Sequence, residues 1–200
     1  VIAEQVGCVW KLEKLCRNKA LKAAVEKPEN VKLFLNVDGN IIQDKAFIQG
    51  FTNRRAMKAG VPASDIVFEI TERSDIENYQ ILQQIMKHYA DQGYEIALDD
   101  VGAGHLGLNR VVNTTPDYLK ADIELVRDIH KYKKKEIMMK LLLDYCNATG
   151  AILIAEGIET VQELECLHSL GVHYGQGFFL GKPERAFGNI SAESEEILER

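Results

Sequence analysis

The sequence predicts an α/β protein of the (β/α)8-barrel type, and three observations carry that expectation. Short apolar, β-branched runs of strand length recur along the 200 residues. Helix-period segments with recognisable ends lie between them, and strands alternating with helices argue for parallel βα units. The repeat spacing, roughly 22 to 34 residues, matches a barrel that spends ~250 residues on eight units.

The elements follow in order. Candidate strands are Lys32 to Asn36, Ile66 to Thr71, Glu95 to Asp99, Tyr118 to Ala121, Ile152 to Ala155 and His173 to Phe179. Before the first, Val9, Leu12, Cys16, Ala20 and Ala23 recur at steps of three and four, the mark of an apolar helical stripe. That stripe makes Cys8 and Cys16 core thiols rather than reactive ones. Asp44 can cap a helix carrying Phe47, Ile48, Phe51 and Met57, which Gly60 and Pro62 stop. A helix from Asp75 to Asp91 turns Leu82, Ile85, Met86 and Tyr89 inward and ends at Gly93. Glu136 to Cys146 is apolar on nearly every side, so it is either wholly covered within the monomer, the preferred reading, or paired with another chain. The lysine run Lys131 to Lys135, interrupted by Tyr132, reads as a solvated helix start rather than a phosphate grip. Thr160 and Glu163 have capping-box spacing, with Leu164 and Leu167 behind them and Gly171 at the helix end.

Composition narrows the function. Acids outnumber bases 30 to 24 for a net charge of −6, which argues against a partner such as long nucleic acid. No run reaches the roughly 18 apolar residues of a membrane span, and the opening Val1-Ile2-Ala3-Glu4-Gln5 has neither a basic leader nor an initiator Met. The expectation is a cytoplasmic domain, and a fragment. Cys8, Cys16, Cys146 and Cys166 form no C-x-x-C pair and the five histidines no H-E-x-x-H, so a metal here would be held by carboxylates.

Polar residues gather at the predicted strand ends. Asn36 closes the first strand, Glu69 and Glu72 the second, Asp99 and Asp100 the third, Lys120 and Asp122 the fourth, and Glu156 and Glu159 the fifth; Gln176 lies in the sixth. Parallel barrels do their chemistry at the C-terminal strand edge. That many acids together need cations, and an all-oxygen donor set prefers magnesium or manganese to zinc. Adjacent Asp99 and Asp100 suit two ions, one carboxylate shared and one private, which is the arrangement for phosphodiester hydrolysis. Lys120 adds a cation for the attacking water or the phosphate. For any single acid the alternative is a helix N-cap.

These residues fall into motifs: Leu35-Asn36-Val37, Glu69-Ile70-Thr71-Glu72, Asp99-Asp100-Val101-Gly102-Ala103-Gly104, Lys120-Ala121-Asp122, Ala155-Glu156-Gly157-Ile158-Glu159-Thr160 and Gln176-Gly177-Phe178. In order and spacing the series resembles EAL domains, bacterial phosphodiesterases for cyclic di-GMP. The resemblance implies a modified TIM (β/α)8 barrel over residues 1–188, a C-terminal helix or tail over 189–200, and opening of cyclic di-GMP to linear pGpG with two Mg²⁺ or Mn²⁺ ions. It makes Asn36, Glu69 and Asp99 ligands of one ion, and Asp99, Asp100 and Glu156 ligands or near-ligands of the other. Glu156 is also cast as a general base. Lys120 matches the lysine that positions the water, Glu72 the glutamate that steadies the loop after Asp100, and Gln176 and Asp122 residues near the substrate. Glu159 reads as structural. The resemblance further implies a homodimer through the loop after Asp100 and the neighbouring Ile137 to Cys146 helix, and an upstream sensor or GGDEF domain.

Two departures accompany it. The Glu-Ala-Leu tripeptide and the arginine that usually follows it are absent from these 200 residues, so the family's opening strands are expected to precede Val1. The loop beginning at Asp100 carries Val101, His105 and Leu106 where the family commonly has an aromatic, an aromatic and a hydroxyl. His105 is expected to pack in the loop rather than touch metal. Competing readings are a non-catalytic EAL-like module that binds the dinucleotide or a protein, and an enolase-like barrel with a lysine base, which the adjacent acid pair disfavours.

Overall fold

The computed structural model describes every residue except 1, 40, 71–78, 103–106, 185–186 and 200. Its elements are α1 (Ile2–Gln5), α2 (Val9–Ala23), β1 (Leu33–Val37), α3 (Phe51–Ala59), β2 (Ile66–Ile70), α4 (Tyr79–Ala90), β3 (Glu95–Val101), α5 (Gly107–Asn113), β4 (Tyr118–Ala121), α6 (Ile123–Val126), α7 (Lys133–Thr149), β5 (Ile152–Glu156), α8 (Val161–Leu170), β6 (Tyr174–Gln176) and α9 (Ala192–Leu198). The expected strand and helix alternation is present, with strand ends displaced by at most two residues in β1 to β5 and by three at the end of β6. The chain forms two compact units, Val1–Ala97 and Leu98–Arg200, and β3 contributes residues to both.

In the first unit the strands lie in the order β1-β2-β3. β1 and β2 are parallel, and their register sets Asn36 opposite Glu69. All five β2 residues are buried, as a strand covered on both faces requires. Leu82, Ile85, Met86 and Tyr89 of α4 are buried as their spacing predicts. The chain preceding Tyr79, where that helix was expected to begin, lies outside the described residues.

The face of α2 differs from the expectation. Trp10, Arg17 and Leu21 are buried, whereas Leu12 is 47% exposed and Cys16 is exposed with Cys8 only half-buried. Neither thiol is therefore fully in the core. The cause is Arg17, a charged residue that a hydrophobic pattern assigns to solvent. Its guanidinium lies over the rings of Trp10, Phe68 and Tyr89, 5.1 to 5.7 Å from their centroids. It donates to Thr52 Oγ1 and the Tyr89 hydroxyl, each at 3.1 Å, and to the Glu13 carboxylate. A planar cation stacked on rings and bonded through both terminal nitrogens tolerates burial better than an ammonium does.

Asp44 does not cap a helix. Its carboxylate accepts from the Ala46 amide at 2.8 Å, the local turn that aspartate offers as an alternative to helix, and α3 starts only after Gly50 in the left-handed region.

In the second unit the order is β3-β4-β5-β6, with β4, β5 and β6 parallel. The α7 helix is half covered rather than wholly covered. Met139, Leu142, Leu143 and Cys146 are buried, while Ile137, Met138 and Leu141 face out. The lysines at its start are solvated and locally paired, Lys131 with Asp128 and Lys133 with Glu136. Strand β6 is shorter than expected. His173 precedes it, and its Nδ1 accepts the Leu153 amide at 2.9 Å, so a ring nitrogen takes the place of a backbone partner.

The capping box forms as the spacing predicts. Glu163 Nα–H meets the Thr160 hydroxyl at 3.3 Å, and the Glu163 carboxylate accepts from the amides of Thr160, Glu159 and Asp128 at 2.9 to 3.1 Å. Burial pushes the carboxyl up, but the donors around it outweigh that and hold it below the usual glutamate range. Beyond it, α9 is seated by Ser191 and Ser194, whose hydroxyls both donate to the Phe179 carbonyl.

Candidate active site

The site forms at the C-terminal ends of β3, β4 and β5. In a regular strand, adjacent side chains point to opposite faces, so Asp99 and Asp100 would be separated. Asp100 instead adopts φ +57°, a left-handed conformation uncommon for residues other than glycine and enriched in Asp and Asn. With that turn, carboxylate oxygens of Asp99, Asp100 and Glu156 all lie within 4.8 Å of one another. Strained backbone of this kind gathers at functional sites.

Lys120 provides the counter-charge. It is 3% exposed, and its Nζ lies 2.9 Å from Asp99 Oδ1 and 2.7 Å from Glu156 Oε1. Burial pushes the Glu156 carboxyl up to about 7; Lys120 opposes the shift and the negative charge of Asp99 adds to it. Glu156 therefore changes charge near neutral pH, the range in which an acid or base exchanges protons effectively.

Two glycines make the neighbouring loops possible. Gly157 has φ +72°, and a Cβ there would lie 2.3 Å from Ile123 Cγ1. A Cβ on Gly177 would lie 2.1 Å from the Ile158 carbonyl oxygen. The second contact is the crossing of two backbone segments, in which the Ile158 amide donates to Gln176 O and the Phe179 amide to Ile158 O, both at 3.0 Å. Gln176 stands opposite Glu156 in the β5–β6 register. Beside them is an open cleft of about 410 Å³ whose lining includes Glu156, Gln176, Phe178 and Lys182.

The expected residues divide as follows. Asp99, Asp100, Lys120 and Glu156 come together in the second unit, with Gln176 at the adjoining cleft. Asn36 and Glu69 face each other across the β1–β2 register of the first unit, Glu69 being buried. Asp122 caps α6, accepting from the Glu124 amide at 2.7 Å, the alternative role of a strand-end acid. Glu159 pairs with Arg127 at the surface. Glu72 and His105 lie outside the described residues. Phe178 entered the sequence reading only as part of the Gln176-Gly177-Phe178 motif, and Lys182, which follows no strand-end pattern, did not enter it. The Glu13–Arg17 pair behind β1 was hidden by the charge of both residues.

The site is thus that of a parallel βα protein whose strand ends bring three carboxylates, in the spacing of a metal-holding group, together with a buried lysine and an adjoining cleft. The EAL domain family model matches residues 1–183, and the chain belongs to that family. Among curated relatives it is 25% identical over 150 residues to "Cyclic di-GMP phosphodiesterase PdeB" of Shewanella oneidensis, covering 75% of this chain and 17% of that protein. The chain spans about a fifth of the length of the first curated relatives it matches. Among solved structures it is similar to a standalone EAL protein of Vibrio cholerae in a cyclic di-GMP-bound form, with TM-score 0.82, 26% identity and coverage of 92% of this chain and 78% of that one. It is also similar to a manganese and cyclic di-GMP complex of Klebsiella pneumoniae BlrP1, with TM-score 0.84, 28% identity and coverage of 90% and 47%. The fold is thus the TIM-like barrel type of EAL structures, of which this chain forms part. No helix among the described residues is long and apolar enough to cross a membrane.

Proposed function

We propose that this domain hydrolyses one phosphodiester bond of cyclic di-GMP to give linear pGpG, using two Mg²⁺ or Mn²⁺ ions. The observation that carries the reading is the clustering of the Asp99, Asp100 and Glu156 oxygens around a left-handed turn with Lys120 between two of them. Three oxygen donors of this kind fit a hard divalent cation. Bound ions would neutralise phosphate charge and make water a better nucleophile at neutral pH. Asp99, Asp100 and Glu156 are the ligands the second unit supplies to this proposal, and Asn36 and Glu69 enter it as ligands through their motifs. Lys120 orients the attacking water, Glu156 takes a proton near neutral pH, and Gln176 meets the substrate from the cleft. The loop-steadying role of Glu72 and the substrate contact of Asp122 rest on their motifs alone. Asp122 is buried and already engaged as a cap. The homodimer, the upstream sensor or GGDEF domain and the cytoplasmic location belong to the same proposal, with the exposed Ile137, Met138 and Leu141 face as interface.

The test is incubation of the protein with cyclic di-GMP and Mn²⁺ or Mg²⁺, with chromatographic detection of pGpG. Product is expected with metal and not with chelator, and Asp99→Asn is expected to abolish it. Saturable dinucleotide binding with no turnover under any metal condition would replace the hydrolase by the binding-module reading.

A further inference from the structure

We propose that Glu13 of α2 is a positioning residue for the end of β1, and through it for Asn36. The inference rests on the reading of Asn36 as an ion ligand. Glu13 Oε1 accepts the backbone N–H of Asp38 at 2.6 Å. Asp38 is the first residue beyond β1, two positions after Asn36, whose Cα partner across the sheet is Glu69. A charge-assisted bond to that amide fixes where the strand stops, and a ligand one residue from a strand end is only as well placed as that end.

The carboxylate is itself held. Its other oxygen meets Arg17, and Arg17 is locked by Thr52, by the Tyr89 hydroxyl and by the Trp10, Phe68 and Tyr89 rings. The side chains of Arg17 and Glu13 are 2% and 11% exposed. A buried ion pair is seldom more stabilising than a well-packed apolar pair of the same volume. Stability alone therefore does not account for a carboxylate here. The feature that an apolar pair cannot reproduce is the acceptor for the Asp38 amide. Downstream, the Ile41 amide donates to Asp38 O at 3.0 Å and the Ile41 side chain is 1% exposed. The turn after β1 is therefore fastened on both sides, by charge at Glu13 and by burial at Ile41.

The test separates the acceptor from the ion pair. Mn²⁺ binding is followed by loss of the free-ion EPR signal in the wild-type protein, Asn36→Ala, Glu13→Gln/Arg17→Met and Glu13→Leu/Arg17→Met, with a melting curve for each. Both double variants lack the ion pair, but only the first keeps an acceptor for Asp38. Asn36→Ala and Glu13→Leu/Arg17→Met are each expected to weaken the same Mn²⁺ step about tenfold, with Glu13→Gln/Arg17→Met within about twofold of wild type. Equal melting temperatures for the doubles assign the difference to position rather than to general loss of stability. Wild-type Mn²⁺ affinity in Glu13→Leu/Arg17→Met, with Asn36→Ala weakened, overturns the inference and leaves the ligand reading standing. Wild-type affinity in Asn36→Ala removes the ligand reading and the positioning role together. Where the doubles fail to fold, Glu13→Gln is compared with Glu13→Leu, which strand Arg17 equally but differ in the acceptor for Asp38, and Mn²⁺ binding is expected to be about tenfold weaker in Glu13→Leu than in Glu13→Gln. Equal Mn²⁺ binding in these two single variants overturns the inference.

Discussion

Replacing Lys120 by Met removes the buried cation of the acid cluster while keeping a side chain of similar length. At 2.9 and 2.7 Å from its two partners, each attraction is ~6 kcal/mol gross at an effective dielectric constant of 20. Desolvation offsets most of that, and removing one member of a buried pair leaves a net loss of about 3 kcal/mol. The loss depends on pH in a defined sense. Glu156 titrates near 7 in the folded chain and near 4.3 in an unfolded one. The folded state thus holds the extra proton, and in the absence of metal the contribution of Glu156 to stability falls as pH rises from about 4.3 to 7. At pH 6 the wild-type Glu156 is already mostly neutral, so its pairing with Lys120 has little left to lose. At pH 8 that pairing is fully present, and the variant must bury the charge uncompensated or raise the Glu156 pKa further. Denaturant unfolding with chelator should therefore show a deficit of about 3 kcal/mol at pH 8, and at least ~1 kcal/mol less at pH 6. Added Mn²⁺ should restore more stability to the variant than to wild type, because a divalent ion replaces the missing charge. A deficit equal at both pH values and indifferent to Mn²⁺ would refute this account of Lys120. Turnover should be lost in the variant while cyclic di-GMP binding survives.

Two further expectations follow from packing and burial. Gly177→Ala drives a methyl into the Ile158 carbonyl at 2.1 Å; with backbone on both sides, a loss of at least ~2 kcal/mol in denaturant unfolding is expected, and an unchanged midpoint would show that the crossing relaxes freely. Cys16 is exposed, whereas burial pushes the Cys146 thiol up to about 11. In the native protein a disulfide reagent at pH 8 should therefore label Cys16 at least ~100-fold faster than Cys146, and comparable rates would contradict the buried face of α7.

Much of the fold was legible because apolar runs and helix punctuation are local signals. The four residues of β4 and the Thr160–Glu163 box appear as their spacing predicts, since each depends on neighbours within a few positions. The α2 face was misassigned because Arg17 finds buried acceptors in Thr52 and Tyr89, which lie 35 and 72 positions away. Asp44 failed as a cap because a turn amide two residues on was the nearer donor. At the site, the acids and the lysine could be listed from strand ends. The conformation that lets two consecutive acids act together could not, because φ at Asp100 leaves no trace in residue type beyond the tolerance of aspartate for it.

That turn changes what must be copied to transplant the acid pair. Grafting Asp-Asp onto the end of an ordinary strand would deliver one carboxylate to the intended face and bury or expose the other on the reverse side, however faithfully the neighbouring residues were reproduced. The portable unit is the pair together with its left-handed backbone at the second aspartate, in a host whose strand tolerates an interruption of its pleat at that residue.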